Sequence, residues 1–253
     1  MITSGKGHAT NAMVISVFMA WALAAPAAGQ DGGLPEPGAE QPDYAAMMAE
    51  AAWDWRPGDL IFRNDVNKID DALKRSFGLR WASVGILRPS SGGPRVVFVD
   101  PEKGVTEDML YAYTEGLSPD DYAVYRPRDL NPGYDPNADL MVAGPMAKFA
   151  LSIAYGAPQD KQFLFANGAF YSAELAYESA LNAGIVLGAP TRLGALLKDP
   201  KTLDPRLGDL LEAHRYCQYE QSLDDCRAVQ LQELSLVTTD SLIASGALDR
   251  VYP

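Results

Sequence analysis

A series of short apolar runs between residues 59 and 126, each bounded by turn-forming residues, most constrains what this chain can fold into. Asp59 to Arg63, with Leu60-Ile61-Phe62 as its buried part, reads as a strand, and so do Ala82 to Leu87, Arg95 to Asp100 and Tyr122 to Arg126. Ser90-Ser91-Gly92-Gly93-Pro94 supplies a hairpin turn between the second and third of these. Asn67 to Phe77 interrupts the series as an amphipathic helix with Ile69, Leu73 and Phe77 on one face. An earlier helix is predicted from Tyr44 to Trp55, ended by Arg56-Pro57-Gly58. The second half is more helical. Ala138 to Tyr155 and Ser172 to Asn182 are its best candidates, with Leu193 to Leu211 as a further one beyond Pro190. No internal repeat is visible.

The region before residue 44 has a different character. Met1 to Asn11 is polar with one lysine, Ala12 to Ala25 is apolar, and Ala25-Pro26-Ala27 has the small-x-small pattern of a secretory cleavage site. Residues 1–29 are therefore expected to be a signal peptide, residues 30–43 a Gly-, Pro- and Glu-rich tether, and residues 44–253 the folded domain. An uncleaved anchor is the alternative, although the apolar run is shorter than the ~20 residues that span a bilayer. Export would leave the protein periplasmic or secreted, with no membrane span after cleavage. There Cys217 and Cys226 are expected to form a disulfide, the alternative being two buried thiols. All 33 acidic residues but only 20 of the 21 lysines and arginines follow residue 30, within a chain of formal net charge −12. That surface repels phosphate backbones, so no nucleic acid partner is expected.

Five local patterns occur in a set order. They are Gly58-Asp59-Leu60-Ile61-Phe62; Arg80-Trp81-Ala82-Ser83-Val84-Gly85-Ile86; Val97-Phe98-Val99-Asp100 followed by Gly104-Val105; Gly156-Ala157-Pro158-Gln159-Asp160 with Phe163; and Tyr171-Ser172-Ala173-Glu174-Leu175. With a closing Val237-Thr238-Thr239-Asp240-Ser241-Leu242 segment, they resemble the YiiX/YaeF-like branch of the NlpC-type cysteine hydrolases, over about Arg56 to Tyr252. The resemblance implies an α+β, circularly permuted papain-like fold in which an antiparallel sheet packs on helices. It also implies a site. The family carries histidine as general base where this chain has Ser83, and cysteine as nucleophile at a helix N-terminus where it has Ser172. Asp100 falls where the family has a polar group that orients the histidine.

Both departures matter chemically. A thiol at a helix N-terminus ionises with help from the macrodipole and a neighbouring imidazolium, whereas a serine hydroxyl needs a base to remove its proton. Ser83 offers no such base, so Ser172 is expected to have no local proton acceptor and the chain to have lost catalysis. It would then act by binding a cell-wall peptide, a lipid or other acyl ligand, or a protein partner. The alternative is an active amidase or peptidase with Ser172 as nucleophile and His214, the one histidine left after cleavage, as a base; otherwise His214 is a solvated or locally hydrogen-bonded side chain. Asp100 either lines the site or caps a turn. Asp59 and Asp160 are read as turn formers, and Glu174 as an acid favoured by the first turn of its helix. No cofactor is expected, and no metal, because one histidine and two paired cysteines make no ligand cluster.

Overall fold

A computed structural model of the protein describes residues 53–90, 92–128, 144–199 and 202–253. The expected signal peptide, the tether and residues 44–52 of the first predicted helix lie outside the described residues; Trp53 to Arg56 are not helical.

The strands are β1 (Leu60–Arg63), β2 (Ser83–Arg88), β3 (Arg95–Asp100), β4 (Gly104–Met109), β5 (Tyr122–Pro127) and β8 (Leu248–Tyr252), which form one sheet in the order β4-β3-β2-β1-β5-β8. Every neighbouring pair is antiparallel, with Phe62 opposite Val84 on one side and Ala123 on the other. A second, two-stranded sheet joins β6 (Thr191–Arg192) to β7 (Ser235–Leu236). The helices are α1 (Lys68–Phe77), α2 (Leu110–Tyr113), α3 (Pro145–Ser152), α4 (Ser172–Asn182), α5 (Leu193–Leu196), α6 (Pro205–Glu212), α7 (Leu223–Glu233) and α8 (Thr239–Ile243), with a 3₁₀ turn at Arg215–Gln218. The mixed α/β architecture with an antiparallel sheet is the one expected.

Period-two alternation divides the apolar side chains between the faces of the sheet. Leu60, Phe62, Val84, Ile86, Val97, Val99, Ala123 and Tyr125 join the larger core with residues of α1, α3 and α4. Ile61, Leu87, Val96, Phe98, Tyr122 and Val124 form the smaller one, against Trp53, Trp55 and α2. Gly85 is required where β2 meets β3, because a Cβ there would lie 2.4 Å from Val96 Cγ1. α1 begins where the Asn67 side chain accepts from Ile69 N and Asp70 N, and it ends at Gly78 with φ 68°.

Two helix predictions are corrected. The helix expected from Ala138 runs only from Pro145 to Ser152, with residues 138–143 outside the described residues; Gly144 and Pro145 set its start. The helix expected over Leu193 to Leu211 is two, because Asp204 caps a new N-terminus with Pro205 in its first turn. Cys217 and Cys226 form a disulfide, linking the 3₁₀ turn to α7, and Cys226 is buried. Alkylation without reductant should therefore add no mass, and reduction should lower stability by about 2–3 kcal/mol in a denaturation experiment; two added alkyl groups would refute the bridge. Among the described residues no helix is long and apolar enough to cross a membrane.

Candidate functional site

The five sequence patterns and the closing segment are joined by hydrogen bonds, several of them main-chain to main-chain, that lead to the N-terminus of α4. Asp59 O accepts from Leu87 N and Gly58 N donates to Leu87 O, both at 2.8 Å, joining the first segment to β2. Val105 N donates to Ala157 O and Gly156 N to Val105 O, also at 2.8 Å, so Gly104-Val105 lies against Gly156-Ala157-Pro158. Gly104 is obligatory there: its φ is 72°, and a Cβ would fall 2.0 Å from Ala157 O. Asp160 N donates to Phe170 O and Phe170 N to Pro158 O, which delivers the chain to Tyr171 and Ser172. The closing segment completes the ring. Val237 N donates to Tyr171 Oη at 2.8 Å, Thr239 Oγ1 to Trp81 O at 2.6 Å, and Arg80 N to Asp240 Oδ1 at 3.1 Å.

At the centre stands Asp70 of α1, fully buried. Its Oδ2 accepts from Ser83 Oγ at 2.7 Å and from Asn67 Nδ2 at 2.7 Å. The hydroxyl and amide of Ser172 lie close enough to favour its charged form. They complete no bond of normal geometry, so Asp70 Oδ1 and Ser172 Oγ are both buried without a hydrogen-bond partner. Burial pushes the Asp70 carboxyl up to about 6, against the opposing pull of Ser172, Ser83 and Asn67. Ser83 is 1% exposed and Ser172 2%. The space beside them, lined by Asp70, Ala82, Ser172 and Val237 among others, is about 10 Å³, roughly what one water requires.

Ser83 and Ser172 are thus brought together across Asp70, although 89 positions separate them in the sequence. Asp100 does not join them by any hydrogen bond; its Oδ1 accepts from Glu102 N and Lys103 N, both at 2.8 Å, and closes the β3–β4 turn. The expectation that Ser172 has no nearby acceptor is corrected by Asp70. Sequence reading missed that residue, but the signal was present: Asp70 stands three positions before Leu73 and seven before Phe77, an acid on the apolar stripe of its own helix.

His214 is buried, and its ring bonds are made to other residues. Its Nδ1 accepts from Tyr216 N at 3.1 Å, so Nε2 carries the proton and donates to Gln162 O at 2.8 Å. Burial lowers its pKa. Asp160 organises its loop, accepting from Gln162 N, Leu164 N and Asn167 Nδ2. Glu174 departs from expectation: instead of a solvated first-turn acid it is 1% exposed, with neither oxygen hydrogen-bonded. Burial, then the charges of Asp160 and Glu178, push it up to about 9, which the nearby Tyr171 amide offsets only weakly.

Open space lies on the other side of Asp70. Gln159 Nε2 donates to Asn67 Oδ1 at 2.8 Å, and both residues line a groove of about 640 Å³ bounded by the start of α1, the β3–β4 turn and α6. An adjoining hollow of about 460 Å³ shares Pro101, Glu102, Gln159 and Lys161 with it. Among the described residues no group of three or more His, Cys, Asp or Glu side chains could hold a metal ion.

These features define a class: an antiparallel α+β domain whose sheet and helices enclose a buried serine-aspartate-serine centre beside an open polar groove. The same fold occurs in the crystal structure of the metalloprotein YiiX from Escherichia coli O157:H7, which matches with a TM-score of 0.56 at 18% identity, covering 79% of this chain and 100% of that one. Comparison of the sequence with protein-family profiles and with curated proteins returns no match.

Proposed function

We propose that this chain is an exported, non-catalytic relative of the YiiX/YaeF-like NlpC-type hydrolases, with a permuted papain-like fold, and that it works by binding. The observation that carries this reading is the closure of the centre: Ser83 and Ser172 are buried around Asp70 with about 10 Å³ beside them, far less than an acyl substrate occupies. Export is supported by the Cys217–Cys226 disulfide, which persists in oxidising compartments. YiiX is described as a metalloprotein, but the residues at this centre do not fit a metal: two serines and one carboxylate are weak ligands, both ring nitrogens of His214 are engaged, and the cysteines are paired.

A fluorophosphonate acyl probe should leave Ser172 unlabelled, and amide or ester substrates should show no turnover beyond that of a Ser172→Ala control. The second reading, an active serine hydrolase, gains support from Asp70, which lies beside Ser172 and whose carboxyl, pushed up to about 6 by burial, is mainly ionised near neutral pH and able to accept a proton as a general base does. Labelling that disappears in both Ser172→Ala and Asp70→Asn would establish that reading. Reintroducing the family's histidine is also informative. Ser83→His forces an imidazole against Asp70 in filled space and should cost about 1–3 kcal/mol in urea denaturation; unchanged stability would show the centre to be more open than described.

A further inference from the structure

The disulfide between Cys217 and Cys226 closes a loop that displays two apolar side chains to solvent, Tyr219 at 84% exposure and Leu223 at 56%. No large apolar side chain among the described residues is more exposed than Tyr219. An aromatic ring held in water on a stapled loop is suited to docking, because the cross-link has already removed freedom that binding would otherwise have to remove. The loop also carries charge of one sign. Glu220, Asp224 and Asp225 lie between the cysteines, with no lysine or arginine among them. Asp225 is accounted for by Ser222, whose Oγ accepts from Asp225 N and donates to Asp225 Oδ2. Glu220 and Asp224 form no ion pair among the described residues.

A surface of complementary character lies close by. Arg206 and Leu210 of α6 line the groove outside Asn67 and Gln159, and the loop begins just beyond the C-terminus of the same helix, whose whole length is only about 12 Å. Arg215 N donates to Gln162 Oε1 at 2.8 Å, which fixes the base of the loop beside Lys161. Lys68, Lys161 and Arg206 are exposed in the groove, and none of the three forms an ion pair among the described residues. Ile69 and Leu210 supply apolar wall, and about 640 Å³ is ample for a phenol ring. Tyr219 does not line the groove of its own chain. A merely basic partner would suit the loop and leave the cations of the groove unmatched, whereas a second copy of the chain suits both. We propose that two copies exchange these loops about a two-fold axis: Tyr219 of each protomer enters the groove of its partner, and Glu220 and Asp224 meet Lys68, Lys161 and Arg206. The acids of the groove, Asp71 and Glu102 among them, suit the phenolic hydroxyl, which is a donor. This goes beyond the binding role proposed above, since each protomer contributes a side chain to the other's groove: the groove is open in the monomer and filled in the pair.

The test is sedimentation velocity of the full chain over about 1–100 µM, the range of a weak to moderate dimer. Salt of about 150 mM, with a Debye length of about 8 Å, screens the long-range repulsion between two copies of net charge −12. A concentration-dependent dimer is expected, and Tyr219→Ser should weaken it at least about tenfold, as loss of a central aromatic anchor does. Glu220→Lys with Asp224→Lys should leave a monomer, and so should Lys161→Glu with Arg206→Glu. Mixed in equal amounts, these two double variants should associate again, because each loop then meets a groove of opposite charge; that recovery also shows both to be folded. Their melting temperatures should match the parent, since none of the four side chains has an ion-pair partner to lose. A monomeric parent, a dimer that survives either charge reversal, a mixture that stays monomeric, or a ladder of larger species in place of a closed pair would each overturn the proposal. Ser172→Ala should leave association unchanged, so the outcome is independent of the acyl-probe experiment: labelled Ser172 would defeat the non-catalytic reading alone.

Discussion

Glutamine in place of Glu174 should make the protein more stable at alkaline pH, by several kcal/mol, while leaving it nearly unchanged near pH 4.5. In the folded chain burial, and then the charges of Asp160 and Glu178, push the Glu174 carboxyl up to about 9, so that it keeps its proton well above the ordinary carboxylate range. In the unfolded chain it releases that proton near its ordinary value of 4.5. Between those limits the folded state binds more protons than the unfolded one, so stability falls as pH rises. A shift of this size corresponds to roughly 3–6 kcal/mol across the interval, the upper figure assuming no water reaches the carboxyl. Glutamine is neutral throughout and escapes the loss. Urea denaturation of both proteins at pH 4.5 and pH 9 measures it, the informative quantity being the difference between their stabilities. Parallel pH dependence would mean that Glu174 ionises in the folded protein with a partner.

Removal of the Asp59 carboxylate should be strongly destabilising near neutral pH. Its side chain is wholly buried and accepts from Arg126 through both oxygens, Nε to Oδ1 at 2.7 Å and Nη2 to Oδ2 at 2.8 Å. Oδ2 also accepts from Arg56 N at 2.9 Å and Trp53 Nε1 at 3.4 Å. One carboxylate therefore ties β5 to the segment that covers the smaller core. Asp59→Ala leaves Arg126, 21% exposed, without its counter-charge, and breaking a largely buried pair costs about 3–5 kcal/mol. Asp59→Asn keeps the shape and some bonds and should lose less. The same denaturation experiment decides it; a loss below 1 kcal/mol for the alanine variant would show that solvent, not Asp59, supports the guanidinium. The turn role read from the sequence accounts for the Arg56 contact but not for Arg126, 67 positions away.

The elements legible in the sequence are those whose own side chains carry the pattern. β1, β2, β3 and β5 are apolar on both faces, because each buries one set of residues in each core, and α1 and α4 carry stripes at helical spacing. β4 and β8 were not read as strands. They are the two edges of the sheet, and their outer residues, Glu107 and Asp108 or Asp249 and Arg250, are polar, so neither shows an apolar run. The site divides in the same way. Ser83 and Ser172 are legible through their neighbours, in the segments that carry the family resemblance. Asp70 was not, because an acid in the first turn of a helix looks like a dipole partner until β2 and α4 pack over it. Asp100 had a local explanation, the turn it caps, and the structure gives it that role.

The ring of hydrogen bonds around the start of α4 bears on how the protein is made. Its last members, Val237, Thr239 and Asp240, bond to Tyr171, Trp81 and Arg80 across up to 160 positions, and β8 pairs with β5 only after the final strand exists. A nascent chain emerging residue by residue can form the β2–β3 hairpin early, but it cannot close the centre until residues 237–252 have emerged. Until then the apolar lining of α4 and the edge of β5 stay uncovered, which favours slow, late collapse and exposure to aggregation. The contacts that lock the centre are among the last that the described residues are able to make.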